Sequence, residues 1–403
     1  VQAELISVTQ AKGLSDKFLS AMEASDVTHV SSSAIAALSP KTFAGLAANI
    51  AGLSPETLAS LSSAQVNSLS ATKLDTLSDA DSVQYLGFTA LAGLDKKNIV
   101  GLDVSKIADD QFAALTADQL NALTTAANGQ VVNLSEAQVA LITATQAKGL
   151  SDKFIGALES GDVSSLTAEA IAALSPKAFA GLTGNIAGLT ADNIAAISSA
   201  QVNTLTAAKI TALGTATDNP LQYFSPAALA GLDKKNISGL DLSKLTVDQF
   251  ASLKADQLNT LAGTAGKIAA ITTDEAAALT VTQAKGLLPI FANNLASDDL
   301  EKVSDVAVAA LAPKTFAALT NIVGLTSDNA GLISSAQINA LSSTQITALG
   351  TNDDLKHLSN AALAGLDKKN IVGIDLTKLT TDQFATLTAD QLKTIKETKA
   401  SLK

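Results

Sequence analysis

Leu61-Ser62-Ser63-Ala64-Gln65-Val66-Asn67-Ser68-Leu69 is the stretch that decides the fold. Its outer leucines stand eight residues apart, and Val66 follows the first by five. The same step links Leu53, Leu61, Leu69 and Leu77. It also links Leu134, Ile142, Leu150, Leu158, Leu166, Leu174 and Leu182, and later Ile271, Leu279, Leu287, Leu295, Val303, Leu311 and Leu319. Leu58, Val66, Leu74, Leu120, Val139, Phe179, Val202 and Ile210 fill the second apolar slot. One continuous helix cannot use this pattern. Eight residues at about 100° each carry the leucine about 80° past two turns, so no apolar stripe forms. Spacings of five and three also break the alternation a strand needs.

A short helix restarted at each octad does fit. With Ser62 as N-cap, Gln65 falls at N3, where its side chain can reach back to the cap N–H. Leu61 and Val66 then stand at N′ and N4, the hydrophobic staple pair. Thr116 with Gln119, Ser135 with Gln138, Ser198 with Gln201 and Ser334 with Gln337 repeat the arrangement. Pro40, Pro55 and Pro176 each follow a serine and read as N1 residues, where proline is favoured. Helices this short are unstable alone. Each octad therefore needs neighbours above and below, which predicts an all-α, elongated solenoid of short two-turn helices.

Larger copies overlie the octads. Thr9-Gln10-Ala11-Lys12-Gly13-Leu14 returns at 145–150 and 282–287. Gly93-Leu94-Asp95-Lys96-Lys97-Asn98-Ile99 returns unchanged at 231–237 and 365–371. The chain reads as three tandem blocks of about 136 residues, 1–136, 137–272 and 273–403, in one continuous solenoid.

Composition excludes several functions. The 403 residues contain no cysteine and no tryptophan, so disulfide, thiolate and cysteine-ligated metal chemistry are out. All 27 cationic residues are lysine, against 38 Asp and Glu. An acidic chain without arginine is ill suited to gripping phosphate backbones, so no nucleic-acid partner is predicted. No apolar run approaches the roughly 20 residues that cross a bilayer, so the chain is not read as membrane-spanning. His29 and His357 belong to no metal or triad pattern, and no polar constellation stands apart from the repeat. His357 aligns with Tyr85 and Tyr223 and reads as a substituted packing position, and Phe43, Phe179, Phe316, Phe112, Phe250 and Phe384 read as core. The chain is expected not to be an enzyme.

Two features of each block stand out. The octad rhythm breaks at 78–84, 215–222 and 351–357, in acidic or turn-forming segments that carry Asp79, Asp81, Asp218, Asn219, Asp353 and Asp354. The plain reading is a protruding loop. The sharper one is a calcium site, since hard cations prefer clustered carboxylate and carbonyl oxygens. No other cofactor is expected. Next come the invariant Asp-Lys-Lys turns, Asp95-Lys96-Lys97, Asp233-Lys234-Lys235 and Asp367-Lys368-Lys369. Here Asp reads as the cap, and the lysines fall in a first turn that disfavours cations. They are interface candidates for the acidic surface of a neighbouring molecule. A solvated turn copied with its block is the alternative.

Leu-Thr-Ala-Asp-Gln-Leu-Asn-Ala-Leu (115–123) and the 61–69 stretch resemble the octapeptide arrays of very large secreted surface proteins of Gram-negative bacteria, described as adhesins or surface-layer-like proteins. The resemblance covers nearly the whole chain and implies an extracellular, cell-surface location. The Gly-Gly-x-Gly-x-Asp nonapeptides that accompany such proteins do not occur in this sequence. The start at Val1, with no signal peptide, reads as a processed product or a fragment, and ends without polar caps read as inviting end contacts. The function expected is that of a non-enzymatic structural protein self-assembling into a fibre, sheath or surface layer. The alternative is a monomeric adhesin stalk that binds a glycan or calcium through its acidic loops.

Overall fold

The computed structural model describes residues 2–46, 49–79, 82–125, 130–216, 218–264, 271–320, 322–351 and 354–401. Among these residues the chain is all-helical, built of short α-helices and single 3-10 turns, with no strand. It forms two compact units, Val1–Ile197 and Ser198–Lys403.

The local chemistry explains why helices are so short. Ser62 is extended (φ −80°, ψ 156°), its Oγ accepts from Gln65 N at 3.3 Å, and Gln65 Oε1 accepts from Ser62 N at 3.0 Å. The same box opens the helices Ala117–Ala122, Glu136–Ala140, Ser199–Val202 and Ser335–Ala340. Pro40, Pro55 and Pro176 stand in the first turn of theirs. The leucine that ends one helix returns to extended backbone, as Leu150, Leu158 and Leu166 do, and leads into the next cap. Both apolar slots of the octad point inward. Leu61, Val66, Leu69 and Leu74 are buried, and so are Leu134 to Leu182 and Ile271 to Leu319 at the eight-residue step.

Stacking follows a simple interval. Within the first unit Glu136–Ala140 packs on Ser160–Ser165, Ala144–Gly149 on Ala168–Ala173, and Asp152–Ala157 on Pro176–Ala180. Within the second, Thr273–Ala277 packs on Ser297–Lys302, Val281–Gly286 on Asp305–Ala310, and Pro289–Ala292 on Pro313–Ala317. Each pair starts 24 residues apart, so three octads separate stacked helices here.

Small residues permit the close approach. A Cβ on Gly93 would lie 2.5 Å from Ser63 Cβ, and one on Gly101 would overlap the Ala71 carbonyl. Neither position admits a larger residue without displacing its neighbour.

Three expectations need correction. The interruptions are not simple protruding loops. Each follows a helix lengthened to nine residues, Ala71–Asp79, Ala207–Thr215 or Ser343–Thr351. On the far side of residues 80–81, 217 and 352–353, which lie outside the described residues, comes a 3-10 turn anchored by a buried apolar residue, Val83, Leu221 or Leu355. Tyr85, Tyr223 and His357 stand on the outer side of those turns and are exposed, so they are not packing positions. Phe112 and Phe250 are fully buried, but Phe384 is 45 % exposed. The helix Glu136–Ala140 packs on that of Phe112; no described segment takes the corresponding place over Phe384.

Candidate functional site

The polar positions that the octad keeps are largely consumed inside the fold. Gln65 is 1 % exposed. Its Oε1 takes the cap N–H, while its Nε2 donates to Ile35 O at 2.9 Å and Leu38 O at 3.2 Å, in the segment beneath. One amide thus closes its own helix and clamps it to carbonyls about thirty residues earlier. Gln119 does the same to Leu91 O and Leu94 O, Gln138 to Val104 O and Ile107 O, and Gln283 to Phe250 O and Leu253 O. Gln337 and Gln383 repeat it on Val308 and Leu311, and on Leu355 and Leu358. Ala108 and Lys254 stand at cap positions without a capping hydroxyl, yet Gln111 and Gln257 still clamp. The glutamine is therefore present for the clamp as well as the cap. In most pairs the earlier carbonyl keeps a backbone bond, as Ile35 O does from Leu38 N; leaving the later one bare costs about 1–3 kcal/mol.

A second clasp holds the invariant turns. Asn67 Nδ2 donates to Gly93 O at 2.8 Å, and Asn67 Oδ1 accepts from Asp95 N at 2.7 Å. Asn98, itself buried, returns a bond from Nδ2 to Asn67 O at 3.0 Å. Asn203 and Asn339 build the same clasp on Gly231, Asp233 and Asn236, and on Gly365, Asp367 and Asn370. Glycine, leucine, asparagine and isoleucine of the motif therefore have a packing role. The capping expectation for the aspartates is met only at Asp367, whose Oδ1 accepts from Asn370 N at 2.9 Å. Asp95 and Asp233 make no side-chain cap bond.

The clasp leaves the lysines outside. Lys96, Lys97, Lys234, Lys235, Lys368 and Lys369 are all exposed. Their helices, such as Lys96–Ile99, are four residues long, so first and last turn coincide and the dipole penalty expected for cations has no helix to act through. Lys96 Nζ lies 2.8 Å from Asp118 Oδ2, and Lys97 Nζ lies 3.9 Å from Asp95 Oδ2, both in solvent. Such pairs contribute at most about 1 kcal/mol.

The acidic candidates are less defined. Asp81 and Asp353 lie outside the described residues, and so do the side chains of Asp79 and Asp354. Asp218 is exposed, and its carbonyl accepts from Gln222 Nε2 at 2.9 Å. Asn219 takes the left-handed conformation (φ 45°), which asparagine tolerates better than most residues, and its Nδ2 donates to Lys244 O at 2.8 Å. Among the described residues no three acidic or histidine side chains gather as a metal site. His29 is exposed, with Nδ1 2.6 Å from Ser25 O.

One surface groove of about 620 Å³ lies in the first unit, lined by Tyr85, Phe88, Gln84 and Asp110 among others. Tyr85 and Phe88 are 43 % and 51 % exposed. The octad pattern does not predict the groove, because both aromatics stand off its apolar slots. No described helix is long and apolar enough to cross a membrane. No protein-family model matches the chain, and no curated protein shows significant similarity to it.

Proposed function

We propose that the chain is a non-enzymatic structural protein of the cell exterior, a continuous α-solenoid of octads in three blocks that self-assembles laterally into a fibre, sheath or surface layer. The observation that carries this reading is the lysine doublet, held outward by the same asparagine clasp at 96–97, 234–235 and 368–369. Clasping a turn rigidly while leaving its two charges in water suits a contact to another molecule. The net charge of −11 supplies a complementary surface on a second copy. The glutamine and asparagine side chains are spent on internal bonds, which leaves little for catalysis.

Negative-stain electron microscopy and sedimentation of the purified chain, with and without calcium, test the reading. Ordered polymers should form without added ligand. Reversing all six lysines to glutamate should disperse them. Monomers under every condition would sink the proposal.

The groove beside Tyr85 and Phe88 supports a second reading, a monomeric adhesin stalk that binds a glycan there, or calcium at the acidic segments. Glycan-array binding by the monomer, lost on Tyr85→Ala with Phe88→Ala, would favour it.

A further inference from the structure

Where Gln138 stands in the second block, the third block has Glu275. Glu275 Oε2 behaves as the glutamine carbonyl does, accepting from Thr272 N at 2.8 Å and Thr272 Oγ1 at 3.0 Å. The other oxygen does not. Glu275 is 2 % exposed, and its Oε1 is buried with no hydrogen-bond partner among the described residues. The matching atom in the second block is Gln138 Nε2, which donates to Val104 O at 2.8 Å and Ile107 O at 3.5 Å. Those carbonyls correspond to Leu242 and Leu245. Both segments open on an aspartate, Asp103 or Asp241, that caps a 3-10 turn. A carboxylate can only accept hydrogen bonds, whereas a carboxylic acid carries one O–H that can donate.

We propose that Glu275 is a proton-operated latch: as the neutral acid it donates from Oε1 toward the Leu242–Leu245 carbonyls and closes this joint as Gln138 closes its own. When the proton leaves to solvent, a buried acceptor faces acceptors, and the joint between Thr273–Ala277 and the underlying segment opens locally.

The surroundings favour the neutral form. Burial is the largest influence and pushes the carboxyl above its ordinary 4.5. The bonds from Thr272 oppose this, and Asp241 and Asp299 add to the upward push. Asp299 is buried on Ser297–Lys302, which packs against this helix. That element also carries Asp298, Glu301 and Lys302, and the other packed helix, Val247–Ser252, carries Asp248. Lys244 follows Asp241, and Asp274 precedes Glu275; apart from Asp299 and the half-buried Asp241, all of these are exposed. The folded chain holds this proton more tightly than the unfolded chain does. The latch therefore contributes fully below pH 4.5 and is lost as pH rises through the higher folded value.

Hydrogen exchange on the full chain between about pH 4 and pH 8 tests this, read as protection factors for peptides covering 242–253 and 271–280. In the Glu275→Gln variant protection should not vary with pH. In the unaltered chain it should fall relative to that variant by up to about tenfold per pH unit within the titration window, the limit for one proton. Gln138→Glu should install the same behaviour at 104–107 and 134–142, and it carries the test alone if Glu275→Gln does not fold. Parallel profiles for the unaltered chain and Glu275→Gln would overturn the proposal. So would loss of the pH dependence on Lys267→Gln, which would assign it to an ion pair with a lysine outside the described residues.

Discussion

Gln10 and Gln65 build the same capping box, but among the described residues only Gln65 has a segment beneath it. Gln10 Oε1 accepts from Ser7 N at 2.9 Å, and Gln10 N donates to Ser7 Oγ at 3.2 Å, in water. Gln65 makes the same local bonds, and its second amide half adds two bonds to buried carbonyls. The first arrangement sets where a helix starts. The second decides which helix lies on which. The pair separates the two functions cleanly because the local chemistry is identical.

Six substitutions sharpen that separation. The largest effect is expected from Gln65→Ala, which strands Leu38 O and removes one of the two bonds to Ile35 O, and should destabilise by about 2–4 kcal/mol. Gln10→Ala removes a cap alone and should cost under about 1 kcal/mol. Equal losses in urea titrations would show that the clamp adds nothing. Next comes backbone proximity. Gly101→Ala should cost about 1–3 kcal/mol by forcing the chain off Ala71. Gly184→Ala has open space around its new methyl and should change stability by less than about 1 kcal/mol. A comparable loss at both would mean that the close approach does not matter. Ser62→Ala should cost about 1 kcal/mol, less than Gln65→Ala, because the amide clamp survives as it does beside Lys254. Lys96→Ala is the smallest, below about 1 kcal/mol, and melting curves at low and high salt should differ little.

The sequence carried the helix starts well, because capping is decided within four residues. Ser62, Thr116, Ser135, Ser198 and Ser334 all cap as their spacing implies. It also carried the buried face, because two apolar slots per octad leave little choice. What it did not carry was long-range. Nothing within an octad says that Gln65 Nε2 meets residues 35 and 38, since that pairing depends on how many octads separate stacked helices. One signal was available: Gln111 and Gln257 persist where Ala108 and Lys254 replace the hydroxyl cap. There only the glutamine half of the box remains, taking the cap N–H, and the clamp adds a second reason to keep the residue. Asn67 was equally silent, because its partners at Gly93 and Asp95 lie a full stacking interval away. The outward tyrosines were misread because a 3-10 turn rotates side chains differently from the α-helix the octad implies.

The direction of the glutamine clamp bears on the order in which the molecule can form. In every clamp described, the donor comes later in the chain than the carbonyls it meets, as Gln138 comes after Val104 and Ile107. A polypeptide that emerges from its N-terminus first always has the receiving carbonyls in place before their glutamine arrives. Each newly emerged stretch can then seal the one before it across only a few dozen residues, while the asparagine clasp, as Asn67 on Gly93, closes when the later turn arrives. Contacts this close in sequence favour rapid folding, and growth from one end would keep only the newest edge unsealed.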